Sequence, residues 1–387
     1  MKLLFIIPSF RNGGTISSLI NLLNYLNKDK YQVDILAIVP IGPNYAELAR
    51  LATVLNAPAN GQVVKKKRGI RDILIPTVLK VKKILCSIGI DISRLAFSLD
   101  ARRWEKRRYD YVIGFQEGQA TRFASCFKKT RKVCWIHCDY SNMIKIAHIK
   151  PEHHLYQKFE KIVCVSKYTL DSFLSLIPEV SRKACYIYNV LNVDRIITKS
   201  KEPIPEGILF KGEKKIVSIG RLDPVKRFEV IPSIQLSLKQ KGIRSNWYII
   251  GGGNEKEEIE VEIKKNGVSD SVTLLGNQNN PYPFIANASI VVCTSISEAC
   301  PYVINEAKIL HIPIISTDFG SAKEFINDNY NGIVVPVEQL AEAVSEVLTK
   351  DEVYGRLKKN INIFKYDNEA IIDKIEREVF NNQRESK

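Results

Sequence analysis

The 387-residue sequence has no uninterrupted apolar run of the roughly 18 residues that a membrane-spanning helix needs. Its first residues, MKLLFIIPSF, carry one Lys and an apolar run only from Leu3 to Ile7 before Pro8, too short for the h-region of a secretory signal. No Cys-x-x-Cys pair occurs among the eight cysteines (Cys86, Cys126, Cys134, Cys138, Cys164, Cys185, Cys293 and Cys300). That spacing argues against a zinc site, and the scatter of the cysteines through apolar runs reads as reduced core thiols. The Gly-x-Gly-x-x-Gly fingerprint of dinucleotide binding is missing, and no low-complexity tract or internal repeat stands out. A spanning protein and a disulfide scaffold are therefore disfavoured.

What is present is ordinary for a globular enzyme: 45% hydrophobic residues and 26% charged ones. The length implies two domains. The net charge of +15 is uneven, because residues 61–110 hold fourteen Lys and Arg against five acids, a local excess of +9. Such a block implies an anionic partner. Within it Leu74, Val78, Val81, Leu85 and Ile88 fall at helical spacing beside Lys80, Lys82 and Lys83. The pattern suits an amphipathic helix docking on an anionic membrane surface; the plainer reading is a stripe packed on the first domain with solvated lysines. The segment lacks an aromatic-rich RNA motif, so no nucleic-acid partner is expected.

Apolar, β-branched runs alternate with helix-period segments along the whole chain. In the first half Leu3–Ile7, Val33–Val39, Tyr111–Phe115, Val133–Ile136 and Ile162–Val165 read as strands. The second half repeats the scheme with Lys215–Gly220, Trp247–Ile250, Val272–Leu275, Ile290–Thr294, Pro313–Ser316 and Gly332–Val335. Alternating βα units predict α/β architecture with parallel sheets covered by helices. A Pro-, Lys- and Gly-rich stretch, Thr198–Glu213, marks the junction. The expected domains are residues 1–193 and 194–365, followed by a C-terminal helix at 366–387 that packs back on the first domain. Two doubly wound sheets facing each other would bind ligands at the carboxyl ends of their strands.

Three loops at such strand ends carry polar chemistry. In PSFRNGGTISSLINLL the pair Gly13–Gly14 precedes a helix starting near Thr15, whose free N–H groups favour an anion; a plain Gly-rich turn would look the same. IVSIGRLDPVKRFE presents Arg221 and Lys226 after Gly220, two cations suited to a diphosphate, although exposed basic residues are usually only solvated. SEACPYVINEAK places Glu298 and Glu306 eight residues apart, with Pro301 in the first turn of a helix running to about Leu310. Glu298 then lies at the helix mouth and Glu306 further in, where carboxylates can accept bonds from sugar hydroxyls. A capping acid plus a surface acid is the plainer alternative.

Gly220, Arg221, Lys226 and the E-x7-E pair Glu298 and Glu306, followed by HIPIISTDFGSAKEFI, resemble the family 4 retaining glycosyltransferases of GT-B fold, of the kind that build bacterial capsule and surface polysaccharides. GGGNEKEEIE (251–260), LLGNQNNPYPFIANASIVVCTS (274–295) and VCVSKYT (163–169) resemble its other blocks in the same order. The resemblance implies two Rossmann-like domains and several roles. Arg221 and Lys226 would bind the diphosphate of a sugar nucleotide, UDP in preference to GDP. Glu306 would hold the ribose, Glu298 would lie by the donor sugar, and backbone around Leu275 and Gly276 would grip the base. Gly14, Pro301, Tyr302 and Val303 would complete the donor site, with backbone N–H groups near Gly14 and Pro301 facing the diphosphate. His137, in WIHCDY, would face donor sugar and acceptor, and Glu117 would line the acceptor pocket. His137, Glu298, Arg221 and Lys226 would form the catalytic set.

The sequence departs from the family pattern in three places. Glu298-Ala299-Cys300 stands for Glu-Gly-Phe, Gly320-Ser321 for Gly-Gly, and Thr15 for a small or acidic residue. No Asp-x-Asp pair bridges a divalent metal, so no metal and no other cofactor is expected. The expected activity is transfer of a hexose or N-acetylhexosamine to a surface or lipid-linked glycan with retention, in the cytoplasm or on the inner face of the plasma membrane. A nucleotide-sugar epimerase of the same fold and a non-catalytic glycan- or nucleotide-sugar-binding protein are the alternatives; the former needs acid and base residues that the sequence does not point to.

Overall fold

The structure is a computed structural model that describes residues 1–55 and 92–380. The lysine-rich stripe from Leu74 to Ile88, with Lys80, Lys82 and Lys83, lies outside the described residues. The chain divides into two compact units: 1–165, 169–190 and 369–387 form the first, and 166–168 and 191–368 the second.

The first unit is built on a seven-stranded parallel sheet of β1 (Lys2–Ser9), β2 (Gln32–Val39), β3 (Thr53–Val54), β4 (Tyr111–Gly114), β5 (Arg131–Ile136), β6 (Lys161–Cys164) and β7 (Ala184–Tyr186). Its strand order is β3-β2-β1-β4-β5-β6-β7. The central strands are uniformly apolar because helices cover both faces of a parallel sheet. Leu4, Ile6, Val112, Cys134, Ile136 and Ile162 share one core with the aromatic rings of Phe123, Phe127, Tyr140, Tyr156 and Phe173. The last described helix, Asn368–Glu378, crosses into this unit after Asn368: Glu376 accepts from Tyr31 Oη at 2.9 Å and pairs with Lys30, and Phe380 lies against the rings of Tyr31 and Tyr111.

The second unit holds a six-stranded parallel sheet of β8 (Lys214–Ile219), β9 (Ser245–Ile250), β10 (Val272–Gly276), β11 (Ile290–Cys293), β12 (Ile314–Thr317) and β13 (Gly332–Val335), in the order β10-β9-β8-β11-β12-β13. Its core gathers Ile216, Trp247, Ile249, Ile290, Val292 and Ile315 with helix residues such as Ile231, Leu340 and Val344. The buried Trp247 indole donates to Ser218 Oγ at 3.1 Å, and Ser218 Oγ donates in turn to Val292 O at 2.7 Å, so neither buried polar group is left without a partner.

All eleven strands expected from the sequence are present, and β3 and β7 are additional. In each sheet the strand order reverses once, between β1 and β4 and between β8 and β11. Ligands of open α/β sheets bind outside the carboxyl ends of strands at such reversal points.

Candidate functional site

The strongest polar constellation in the second unit sits at its reversal point. Beyond β8 the chain runs Gly220-Arg221-Leu222-Asp223 and reaches Lys226; beyond β11 it runs Thr294–Glu298. Lys226 Nζ and Glu298 Oε1 form an ion pair with both side chains mostly covered. Ser295 Oγ donates to the same Glu298 oxygen at 2.8 Å. Burial alone would lower the Lys226 pKa, but the Glu298 carboxylate, aided by Cys293 and Asp223, outweighs it, and the ammonium sits above its ordinary range. Lysine offers three N–H donors, of which this pair uses one.

The two loops are tied together by backbone. Ile296 N donates to Val225 O at 2.8 Å, and Thr294 Oγ1 donates to Lys226 O at 2.6 Å. Glycine makes the approach possible. A Cβ on Gly251, whose φ is +147°, would lie 1.8 Å from Gly220 O, and one on Gly220 would lie 3.0 Å from Lys226 Cε. The GGG block at 251–253 is thus a seat for the Gly220–Leu222 loop, fixed further by Leu222 N to Gly252 O at 3.1 Å. Arg221 is different: its side chain is 81% exposed and pairs with Asp223 Oδ2 at 2.8 Å.

The helix expected near Pro301 spans Tyr302–Ile309, one residue later than expected, with Pro301 as its cap instead of in its first turn. A cap proline at φ −70°, ψ 112° is extended, which aims the chain into the helix without offering an N–H of its own. First-turn N–H groups have no acceptor inside a helix, and among the described residues no side chain caps this one. Val303 is buried and Tyr302 half-buried. Glu306, one turn in, is half-buried and accepts from Tyr282 Oη at 3.3 Å. Burial pushes its carboxyl pKa from 4.5 up to about 7, the Tyr282 bond pulling the other way. Leu275 and Gly276 end β10 where the register shifts, and Gly276 (φ +66°) accepts from Gly251 N at 2.9 Å, which joins this loop to the glycine seat.

Ser321 stands where the family pattern has a second glycine. Its hydroxyl donates to Glu298 O at 2.7 Å, so the serine fixes the backbone of the acid whose side chain Lys226 holds. Tyr282 and Ser295 were not singled out from the sequence at all, because nothing in their local pattern distinguishes them from packing residues.

In the first unit, the helix after β1 spans Gly14–Tyr25, beginning at Gly14 where Thr15 was expected, and its first turn holds no acid. At the reversal point Glu117 follows β4 and His137 follows β5. Glu117 Oε2 accepts from His137 N at 2.8 Å, which fixes the histidine's backbone. Burial raises the Glu117 pKa, with the His137 bond opposing. The His137 ring lies 4.9 Å from the Phe115 ring, and its Nε2 is buried with no partner among the described residues. Burial drives its pKa down to about 3, so the imidazole is neutral at physiological pH.

Many solved structures match the chain over nearly its whole length. The crystal structure of Anabaena HepE in complex with UDP matches 98% of this chain and 100% of its own at 17% identity, with a TM-score of 0.69. That of an S. aureus TarM mutant bound to Fondaparinux, alpha-GlcNAc-glycerol and UDP matches 98% of this chain and 99% of its own at 15% identity, with a TM-score of 0.71. The fold is GT-B. Residues 200–363, all within the second unit of this GT-B chain, match the family described as group 1 glycosyl transferases. Among curated relatives, a Campylobacter jejuni N-acetylgalactosaminyltransferase, named for N-acetylgalactosamine-N,N'-diacetylbacillosaminyl-diphospho-undecaprenol, is 26% identical over 261 residues, 67% of each chain. The poly(ribitol-phosphate) alpha-N-acetylglucosaminyltransferase of Staphylococcus aureus is 25% identical over 255 residues, 61% of this chain and half of its own length. Arg221, Lys226, Leu275, Gly276, Glu298, Pro301, Tyr302, Val303 and Glu306 all fall inside the matched 200–363 stretch. Gly14, Glu117 and His137 lie in the other unit of the GT-B fold.

Proposed function

We propose that the protein transfers a hexose or N-acetylhexosamine from a nucleotide sugar, UDP in preference to GDP, to a surface or lipid-linked glycan acceptor. The observation that carries this reading is the Lys226–Glu298 pair at the β8/β11 reversal point, on the loop that leads into the helix bearing the half-buried Glu306. Lys226 retains two N–H donors for a diphosphate, Arg221 adds an exposed fork, and the helix first turn adds backbone donors; together they stabilise a departing nucleoside diphosphate. Glu306 accepts from ribose hydroxyls and Glu298 from the donor sugar. His137, neutral and with Nε2 unengaged, contributes a hydrogen bond rather than a charge. UDP-bound neighbours and relatives named for undecaprenol-linked and ribitol-phosphate acceptors support the donor and acceptor classes.

Retention of the anomeric configuration and independence of metal belong to the same proposal, the latter resting on the missing Asp-x-Asp pair. So does docking on an anionic membrane leaflet from the cytoplasmic side, which the basic excess in 61–110 supports. Ile146 and Ile149, exposed between Lys145 and Lys150, add apolar contacts for the same surface. The donor reading is tested by thermal unfolding with a panel of nucleotides and nucleotide sugars, since a specific ligand raises the midpoint by mass action. UDP and one UDP-sugar should raise it in the wild type and raise it less in Lys226→Ala; a rise with GDP alone, or none with any nucleotide, would overturn the donor assignment.

A further inference from the structure

Tyr282 opens the short helix Tyr282–Ala286 between β10 and β11 and joins two parts of the proposed nucleotide site. Upstream, Gln278 Nε2 donates to Leu275 O at 2.7 Å, holding the segment assigned to the base. Asn280 donates to Lys199 O at 2.8 Å and to Glu202 Oε2 at 2.7 Å, while its own Oδ1 accepts from Tyr282 N at 3.2 Å. The Tyr282 ring packs beside Leu191, Ile196 and Ile309. Backbone and ring are therefore both fixed, and the hydroxyl reaches Glu306 Oε1 at 3.3 Å. Burial and the neighbouring carboxylate both raise the phenol's pKa, so the hydroxyl remains a donor throughout the physiological range.

We propose that Tyr282 is the positioning residue for Glu306: its hydroxyl occupies one acceptor direction of the carboxylate and so aims the remaining ones at ribose hydroxyls, coupling the base-gripping loop to ribose recognition. This rests on the reading that Glu306 holds the ribose. A carboxylate has about four acceptor directions, and a fixed donor on one of them selects the rotamer in which the others face the ligand. An apolar replacement would leave the fold intact and the carboxylate free to rotate.

The test is calorimetric titration of UDP, 2′-deoxy-UDP and 3′-deoxy-UDP into wild type, Tyr282→Phe and Glu306→Gln, repeated between about pH 6 and pH 8.5. Wild type is expected to prefer UDP over at least one deoxy analogue, and Tyr282→Phe to lose about fivefold to tenfold of that preference with its affinity for the deoxy analogue unchanged. The preference should strengthen as Glu306 ionises. Loss of the phenol's pull on the carboxyl should move the midpoint of that rise to higher pH in Tyr282→Phe, a change that a purely structural role would not produce. If Glu306→Gln loses the preference while Tyr282→Phe keeps both preference and midpoint, the positioning role is refuted and the ribose assignment stands. If Glu306→Gln keeps the preference, both fail together. Equal weakening of all three nucleotides in Tyr282→Phe would also refute the proposal, because it would report a disturbed loop.

Discussion

Glu306→Gln removes a charge that the fold accommodates poorly, and its effect can be worked from the structure. The carboxyl is raised from 4.5 to about 7 by burial. A pKa raised in the folded state contributes stability that is complete below the unfolded value and is lost as pH climbs through the folded one. At about 1.4 kcal/mol per pH unit, the full difference amounts to about 3 kcal/mol, of which roughly 2 disappear between about pH 5.5 and pH 8.5. Solvent reaching the half-buried group reduces this to about 1 to 2 kcal/mol. Glutamine has no such titration. Urea unfolding of both proteins at the two pH values, followed through the transition of the second unit, should therefore show wild type losing that amount relative to Glu306→Gln as pH rises. A stability difference that is flat across this range, or one that grows in favour of wild type, would refute the claim that burial governs this carboxylate.

Lys226→Ala should weaken UDP binding by about tenfold to a hundredfold, the range of a charge-assisted contact, and should also lower the melting temperature, because Glu298 loses its cation; unchanged affinity would remove Lys226 from the donor site. Turnover should persist in excess EDTA, and activity abolished by chelation and restored by magnesium or manganese would reverse that expectation. In liposome flotation, binding should require anionic lipid, weaken as salt screens the charges, and fall both when Lys80, Lys82 and Lys83 become Glu and when Ile146 and Ile149 become Asp. Equal recovery with neutral vesicles would rule out the electrostatic docking.

Much of the fold was legible because a parallel sheet buried on both faces writes its strands as continuous apolar runs. The strands that escaped notice, Thr53–Val54 and Ala184–Tyr186, are two and three residues long and lie at the two edges of the first sheet, where little burial is demanded of the sequence. The charged half of the site was legible for a related reason: Lys226, Glu298 and Glu306 are costly residues to place beside apolar strand ends without a partner. What could not be read was which of them meet. The Lys226–Glu298 pairing joins residues 72 apart, and Tyr282 reaches Glu306 across 24. Such meetings depend on the order of strands and not on local periodicity. Ser321 shows the limit well, since a hydroxyl that looks like a mere replacement for glycine fixes the backbone of Glu298.

The most direct test of the account is a transfer assay in which the protein is incubated with a panel of UDP-hexoses and UDP-N-acetylhexosamines and polyprenyl-diphosphate-linked glycans, with UDP release and the acceptor's mass followed together. The expectation is that one donor yields stoichiometric UDP and an acceptor heavier by one sugar residue, and that both signals vanish in Lys226→Ala and fall sharply in Glu306→Ala. A donor that is consumed with no sugar reaching any acceptor, or sugar transfer undiminished in both variants, would contradict it.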